Sequence, residues 1–429
     1  MTALDRTLTN APVPRTSVAS ARAWLSSRRR TVEMGLLTAL VLIITGLVGG
    51  EKSVHLILAD GTEWFGLPSL TIDPRTSGIA VAALLLGWLA LDGVRGRSGH
   101  ALPTWTAVPL ITVAMGWMVI ALAGGADLPL VGVLQGAVAL SVPLIFGALS
   151  GVTSERAGVV NVAIEGQLLA GAFTSAAVGL LTGSPFAGLI AAGVAGAAVS
   201  SVLAFLSTRH LVDQVIVGVV LNVLVTGLTS FLFAQGVGAS GTASPPRLTP
   251  IDVPLLSGIP VVGPVLFHQT VIVYIMYATV ALIWFALFRT RWGLRVRSVG
   301  EYPQAADSVG INVLRLRIRT VLLAGAIAGV GGAYFTLGSV GGFSKEITAG
   351  AGYIALAAVI FGRWDPIKAT LAALFFGLAN SVQSNLAIIG SPIPSEVLLM
   401  SPYVLTLLAV SGLVAAGRPP RAAGKPFVR

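Results

Sequence analysis

Long apolar runs separated by short polar connectors dominate the chain. The runs fall at 32–50, 105–125, 131–150, 157–182, 186–208, 212–235, 268–288, 320–340 and 396–416. A helix needs about 20 apolar residues to cross a bilayer, so each run predicts a membrane-spanning helix. Residues 77–91 form a shorter run, and 353–386 is long but interrupted by Gly362-Arg363-Trp364-Asp365-Pro366. Pro366 lacks an amide donor and disfavours helix at Asp365, which divides this run into crossings at 353–361 and 367–386. The pattern predicts an all-α fold, a polytopic membrane helix bundle of twelve crossings, in which a ten-span core follows about two extra N-terminal spans.

Composition supports this class. The 429 residues are 55% hydrophobic and 10% charged, with a mean hydropathy of +0.88. A soluble globular protein carries about 25% charged residues. Membrane lipid is therefore the expected surroundings of most of the surface. The formal net charge is +10, and arginines cluster in the connectors. The positive-inside rule accounts for that clustering, so no nucleic acid partner is expected.

The same rule sets orientation. Arg28, Arg29 and Arg30 place the N-terminus inside, and Arg95 with Arg97 places 92–104 inside, which requires 77–91 to cross. Residues 236–267, rich in Pro, Gly and Ser, become an irregular external loop. Residues 289–319 and the tail bearing Arg418, Arg421, Lys425 and Arg429 lie inside. The expectation is a multi-pass protein of the plasma membrane with both termini cytoplasmic. Its segments are a cytoplasmic tail at 1–31 in place of a signal peptide, extra spans at 32–104, a core at 105–417 and a second tail at 418–429.

The polar island RTRWGLRVRSVGEYPQAADSVGINVLRLRIR (289–319) carries seven arginines against Glu301 and Asp307. Its centre, Gln304 to Gly310, reads as a short helix ended by glycine. Such a loop offers a docking surface for a soluble partner. Self-contained chemistry is scarce. There is no cysteine, no Gly-x-x-x-x-Gly-Lys-Ser/Thr phosphate loop and no nucleophile elbow. His55, His100, His210 and His268 are scattered, without metal-ligand spacing. The chain is not expected to be an enzyme or to hold a metal or cofactor.

Polar groups inside apolar runs are costly and informative. Glu165, in GVVNVAIEGQLLAG, is the clear intramembrane acid. Asn161, four residues earlier, would share its face if the run were helical throughout; Gln167 would lie on another. Either a translocation path or an interhelical hydrogen bond fits them, and the same alternatives hold for Asn222, Asn380 and Gln383. Ser154 is placed to cap the following helix, with Glu155 at its positive end. The pairs Gly46/Gly50, Gly147/Gly151, Gly325/Gly329 and Gly338/Gly342 predict close helix packing.

Two segments carry a family resemblance. SERAGVVNVAIEGQLLAGAF (Ser154–Phe173) resembles the nucleoside-type permeases of the ABC importers, within the ribose and branched-chain amino-acid permease family. GEYPQAADSVGIN, AGAIAGVGGAYFTLG and GYIALAAVIFGRWDPIKA resemble the second half of the same permeases, and the likeness spans roughly 130–416. Gln304, Ala305, Ala306 and Gly310 resemble the coupling motif Glu-Ala-Ala-x-x-x-Gly, with Gln304 in place of the usual glutamate and Glu301 nearby.

The resemblance implies a bacterial cell-membrane permease subunit that takes up nucleosides. An ABC ATPase subunit would hold ATP-Mg and dock on the 304–310 helix. A second permease, similar in sequence, and an extracytoplasmic substrate-binding protein would complete the assembly. Asn161, Glu165, Asn222 and Asn380 are the path candidates. The rival readings are a ribose-like simple-sugar permease and a secondary carrier that needs no ATPase.

Overall fold

The computed structural model describes residues 34–46, 53–58, 68–97, 106–123, 125–237, 245–390 and 418–428, together with Thr31, Leu102, Glu396 and Met400. The tail expected at 1–31 and the crossing expected at 396–416 lie almost wholly outside these residues. The chain forms two compact units. Among the described residues, eight helices are long and apolar enough to cross a membrane, and shorter apolar helices occur at Met34–Gly46 and Ala351–Phe361.

The first unit holds α1 (Met34–Gly46), β1 (Val54–Ile57), β2 (Leu70–Ile72), α2 (Pro74–Arg97) and α3 (Ala107–Leu122). Val54, His55 and Leu56 pair antiparallel with Ile72, Thr71 and Leu70. Asp73 starts α2 by accepting the amides of Arg75 and Thr76 at 3.1 and 3.2 Å. These bonds, the Arg75 amide foremost, hold its carboxyl below the usual carboxylate range. With 24 residues α2 exceeds the short 77–91 run at both ends: Asp73 and Pro74 set its start three residues earlier, and it continues to Arg97. Helix α3 falls in this unit, where Trp88, Trp117 and Leu85 form the buried centre.

The second unit begins after β3 (Leu128–Pro129). It comprises α4 (Leu130–Arg156), α5 (Ile164–Thr182), α6 (Pro185–Thr208), α7 (Gln214–Leu232), β4 (Pro250–Asp252), β5 (His268–Thr270), α8 (Val271–Arg289), α9 (Arg291–Glu301), α10 (Pro303–Ser308), α11 (Val313–Ala333), α12 (Ala351–Phe361) and α13 (Pro366–Ile388). Wider π turns extend α7 over Phe233–Val237 and α11 over Tyr334–Val340. Strands β4 and β5 pair antiparallel, which gives the 236–267 loop more order than its composition predicts.

Helices α5, α6 and α11 form the densest part of the unit. A side chain at Gly329 would collide with the Ala192 carbonyl, and one at Gly171 would collide with Gly329 itself. The three backbones touch there, which only small residues permit. Gly147 and Gly151 of α4 likewise face Ala355 and Val359 of α12. The other two expected pairs do not act this way: Gly46 and Gly342 face open space, Gly338 meets its own helix at Tyr334, and Gly50 lies outside the described residues.

The run at 157–182 is not one helix. Helix α4 ends at Arg156 and α5 starts at Ile164. Gly158 takes φ +87° and turns the chain. Side chains satisfy the freed backbone: Gln214 Oε1 accepts from the Val160 amide at 2.6 Å, and Asn222 Nδ2 donates to the Val162 carbonyl at 2.9 Å. Irregular backbone inside a bundle is tolerated on that condition. Ser154 and Glu155 therefore do not cap a following helix. Both are buried in the last turns of α4, where the Ser154 hydroxyl donates to the Ser150 and Gly151 carbonyls at 3.1 Å.

The break expected at 362–366 is present, with α12 ending at Phe361 and α13 starting at Pro366. Arg363 and Trp364 adopt φ of +52° and +57°, a conformation that costs about 1–2 kcal/mol per residue. Two bonds hold the turn against α4: Trp364 Nε1 donates to Glu155 Oε2 at 2.5 Å, and Arg156 Nε donates to the Trp364 carbonyl at 2.8 Å.

Candidate functional site

Helix α12 has 11 residues, about 16 Å of rise, and so covers roughly half of a 30 Å hydrocarbon core. Its first amides have no partners within the helix. Glu165, in the first turn of α5, supplies them. Its Oε1 accepts from Thr348 Oγ1 at 2.6 Å and from the Gly350 amide at 2.9 Å. Its Oε2 accepts from the Gly352 amide at 2.6 Å. The carboxylate is 8% exposed and lies at the positive ends of both α5 and α12. Three hydrogen-bond donors thus converge on this one side chain.

Asn161 does not share a helical face with Glu165, because it lies in the irregular 157–163 linker. Its partner is Gln167. Asn161 Nδ2 donates to Gln167 Oε1, and Gln167 Nε2 donates to Asn161 Oδ1, both at 3.0 Å. Gln167 also donates to Ser200 Oγ at 2.8 Å, and Asn161 to Ser150 Oγ at 3.1 Å. All four side chains are fully buried. This node joins α4, the linker, α5 and α6. A uniform helical register hid it, since that register set Asn161 and Gln167 apart. The excess of amide side chains within seven residues was the available signal.

Asn222 holds the linker from α7. Its Oδ1 accepts the Gly166 amide at 2.8 Å, and its Nδ2 reaches Tyr353 Oη at 3.3 Å. Tyr353, on α12, is half exposed. Asn222, Glu165 and Tyr353 thus gather where α5, α7 and α12 meet. Asn380 is not brought to this group. It lies half-buried on α13, whereas its neighbour Ser381 donates to the Val133 carbonyl at 2.6 Å.

A second candidate surface is built by α9, α10 and the start of α11. Thr290 Oγ1 caps α9 through the Gly293 amide at 3.2 Å, and Asn312 Oδ1 caps α11 through the Arg315 amide at 2.9 Å. Between them α10 ends as expected. Gly310 takes φ +85°, and the Ile311 amide returns to the Ala306 carbonyl at 3.0 Å. Glu301, Gln304, Ala305 and Gly310 are exposed, as are Tyr302 and Val309 at 62% and 74%. Ala306 is not part of that face. It packs inward against Val299 and Val313, so of the two alanines only Ala305 is exposed. Nor do all the island's arginines face outward: Arg297 lies over the Phe288 ring at 5.1 Å, and Arg317 is 2% exposed.

Comparison with known proteins agrees with this architecture. Residues 133–411 match the family described as branched-chain amino acid transport system / permease component. The guanosine ABC transporter permease protein NupQ of Bacillus subtilis (strain 168) is 41% identical over 67% of this chain and 93% of its own length. The nucleoside ABC transporter permease protein NupC of Lactococcus lactis subsp. cremoris (strain MG1363) is 40% identical over 67% and 94%. The glucose ABC transporter permease protein TsgB13 of Haloferax volcanii is 31% identical over 56% and 66%. No solved structure matches. The matched region takes in both candidate surfaces and nearly all of the second unit, and the chain belongs to the branched-chain amino acid transport system permease family.

Proposed function

We propose that the chain is a membrane-spanning permease subunit of an ATP-driven importer of nucleosides. The observation that carries this reading is the 40–41% identity to two permeases, one named for guanosine and one for nucleosides, along nearly their whole length. The exposed α10, offered between two capped helices, supports docking of a separate ATPase that binds ATP-Mg. An extracytoplasmic binding protein delivers the substrate, and a second permease of similar sequence completes the path. The polar island bearing α9 and α10 faces the cytoplasm, as do both termini.

In this reading the substrate moves without covalent change. Glu165 and the Asn161–Gln167 pair position α5, α12 and the linker, while Asn222 with Tyr353, and Asn380, present polar groups toward the path. A neutral nucleoside suits a path with few charges. The test is purification in mild detergent together with uptake. A retained ATPase and ATP-dependent nucleoside import are expected; isolation without an ATPase, with import that ignores ATP, would make the chain a secondary carrier.

A further inference from the structure

We infer that segment 418–428 is a strap that makes α10 and the 157–160 linker move as one body. This rests on the permease reading above, which gives α10 a force to transmit. The strap is attached at both ends of that route. Toward α10, the Ala422 amide donates to the Gly300 carbonyl at 2.9 Å at the end of α9. Phe427 packs on the cluster of Val299, Ala306 and Val313, which forms the inner side of α10. Toward the linker, Gly424, at φ +74°, lies against Val160.

Arg317 locks the two sides together. Its Nη1 donates to the Lys425 carbonyl at 3.1 Å, and its Nε donates to the Ala157 carbonyl at 3.2 Å. Ala157 caps the C-terminal end of α4, where a cation is favoured by the helix dipole. Among the described residues, Nη2 has no hydrogen-bond partner and no carboxylate bonds this guanidinium. A buried charge so incompletely paired is a poor source of stability, and fixing register is the best-attested use of such a group. Here one side chain ties the end of α4 to the strap. From Val160 the linker leads within a few residues to Asn161 and Glu165, hence to the start of α12. The route from the docking surface to the intramembrane site is therefore a chain of hydrogen bonds and packing contacts.

The test uses the full transporter, reconstituted with its ATPase and binding protein, carrying Arg317→Met or Phe427→Ala. Expected are a retained ATPase, unchanged basal hydrolysis, and about tenfold loss of both substrate-stimulated hydrolysis and uptake. Wild-type stimulation and uptake per assembled transporter in both variants would overturn the strap. Loss of the ATPase from the complex would also overturn it, making the segment a docking element. If Arg317→Met does not fold, Phe427→Ala decides. Wild-type uptake is read separately: if the unaltered complex imports no nucleoside, the proposed function falls. The strap is then judged by hydrogen exchange of the Ala422 amide, expected to be about tenfold faster in Phe427→Ala and contradicted by an unchanged rate.

Discussion

The Glu165 carboxylate accepts the backbone amide of Gly352 at 2.6 Å, and this bond joins the first turn of one membrane helix to the first turn of another. A helix of half-membrane length needs its amides satisfied away from water, and a carboxylate at its positive end does so. Glu165→Gln places an amide donor among the three donors that now converge there. The expected cost is about 1–3 kcal/mol, seen as a lower melting temperature of the purified protein. Uptake per folded molecule should stay within about twofold of wild type, a coupling change of about 0.4 kcal/mol. Uptake lost with unchanged melting would assign the acid to the path instead.

The buried amide pair makes a second prediction. Gln167→Leu strands the side chains of Asn161 and Ser200, which now bond to it at 3.0 and 2.8 Å. Stranded buried polar groups cost about 1–3 kcal/mol each. Thermal unfolding followed by tryptophan fluorescence should show a clear loss of stability. A neutral result would mean that water replaces the missing partner.

Gly310 tests the docking element. Its φ of +85° is strained for any other residue, at about 1–2 kcal/mol. Space around it is open, so Gly310→Arg should insert normally and still abolish transport. Wild-type uptake by that variant would remove α10 from the mechanism.

Val309 separates docking from folding. It is 74% exposed, and a substitution at such a site changes stability by about 0.5 kcal/mol or less. Val309→Asp should leave melting unchanged but release the ATPase on affinity purification. Full retention of the ATPase would show that the apolar side of α10 is not its seat.

Much of this was legible in the sequence. Apolar runs located most helices of the second unit, Pro366 marked the turn between α12 and α13, and the glycine after Val309 marked the end of α10. Hydropathy could not resolve the 157–163 linker, because Val159, Val160 and Val162 are as apolar as the helices around them. What unwinds that stretch is tertiary: side chains of Gln214 and Asn222, more than fifty residues away, take over its backbone bonds. Still longer separations, of 183 to 187 residues, hid the partners of Glu165 on Thr348, Gly350 and Gly352. Arg317 read as one more inside-facing cation, since charge patterning cannot tell a side chain at the water surface from one turned inward.

The most direct measurement is uptake of labelled guanosine, uridine and ribose in cells lacking this gene, with and without its restoration. The account predicts ATP-dependent guanosine or uridine uptake that disappears with the gene and returns with it, while ribose uptake is unaffected. Unaltered nucleoside uptake with loss of ribose uptake would contradict it and move the chain to the sugar permeases.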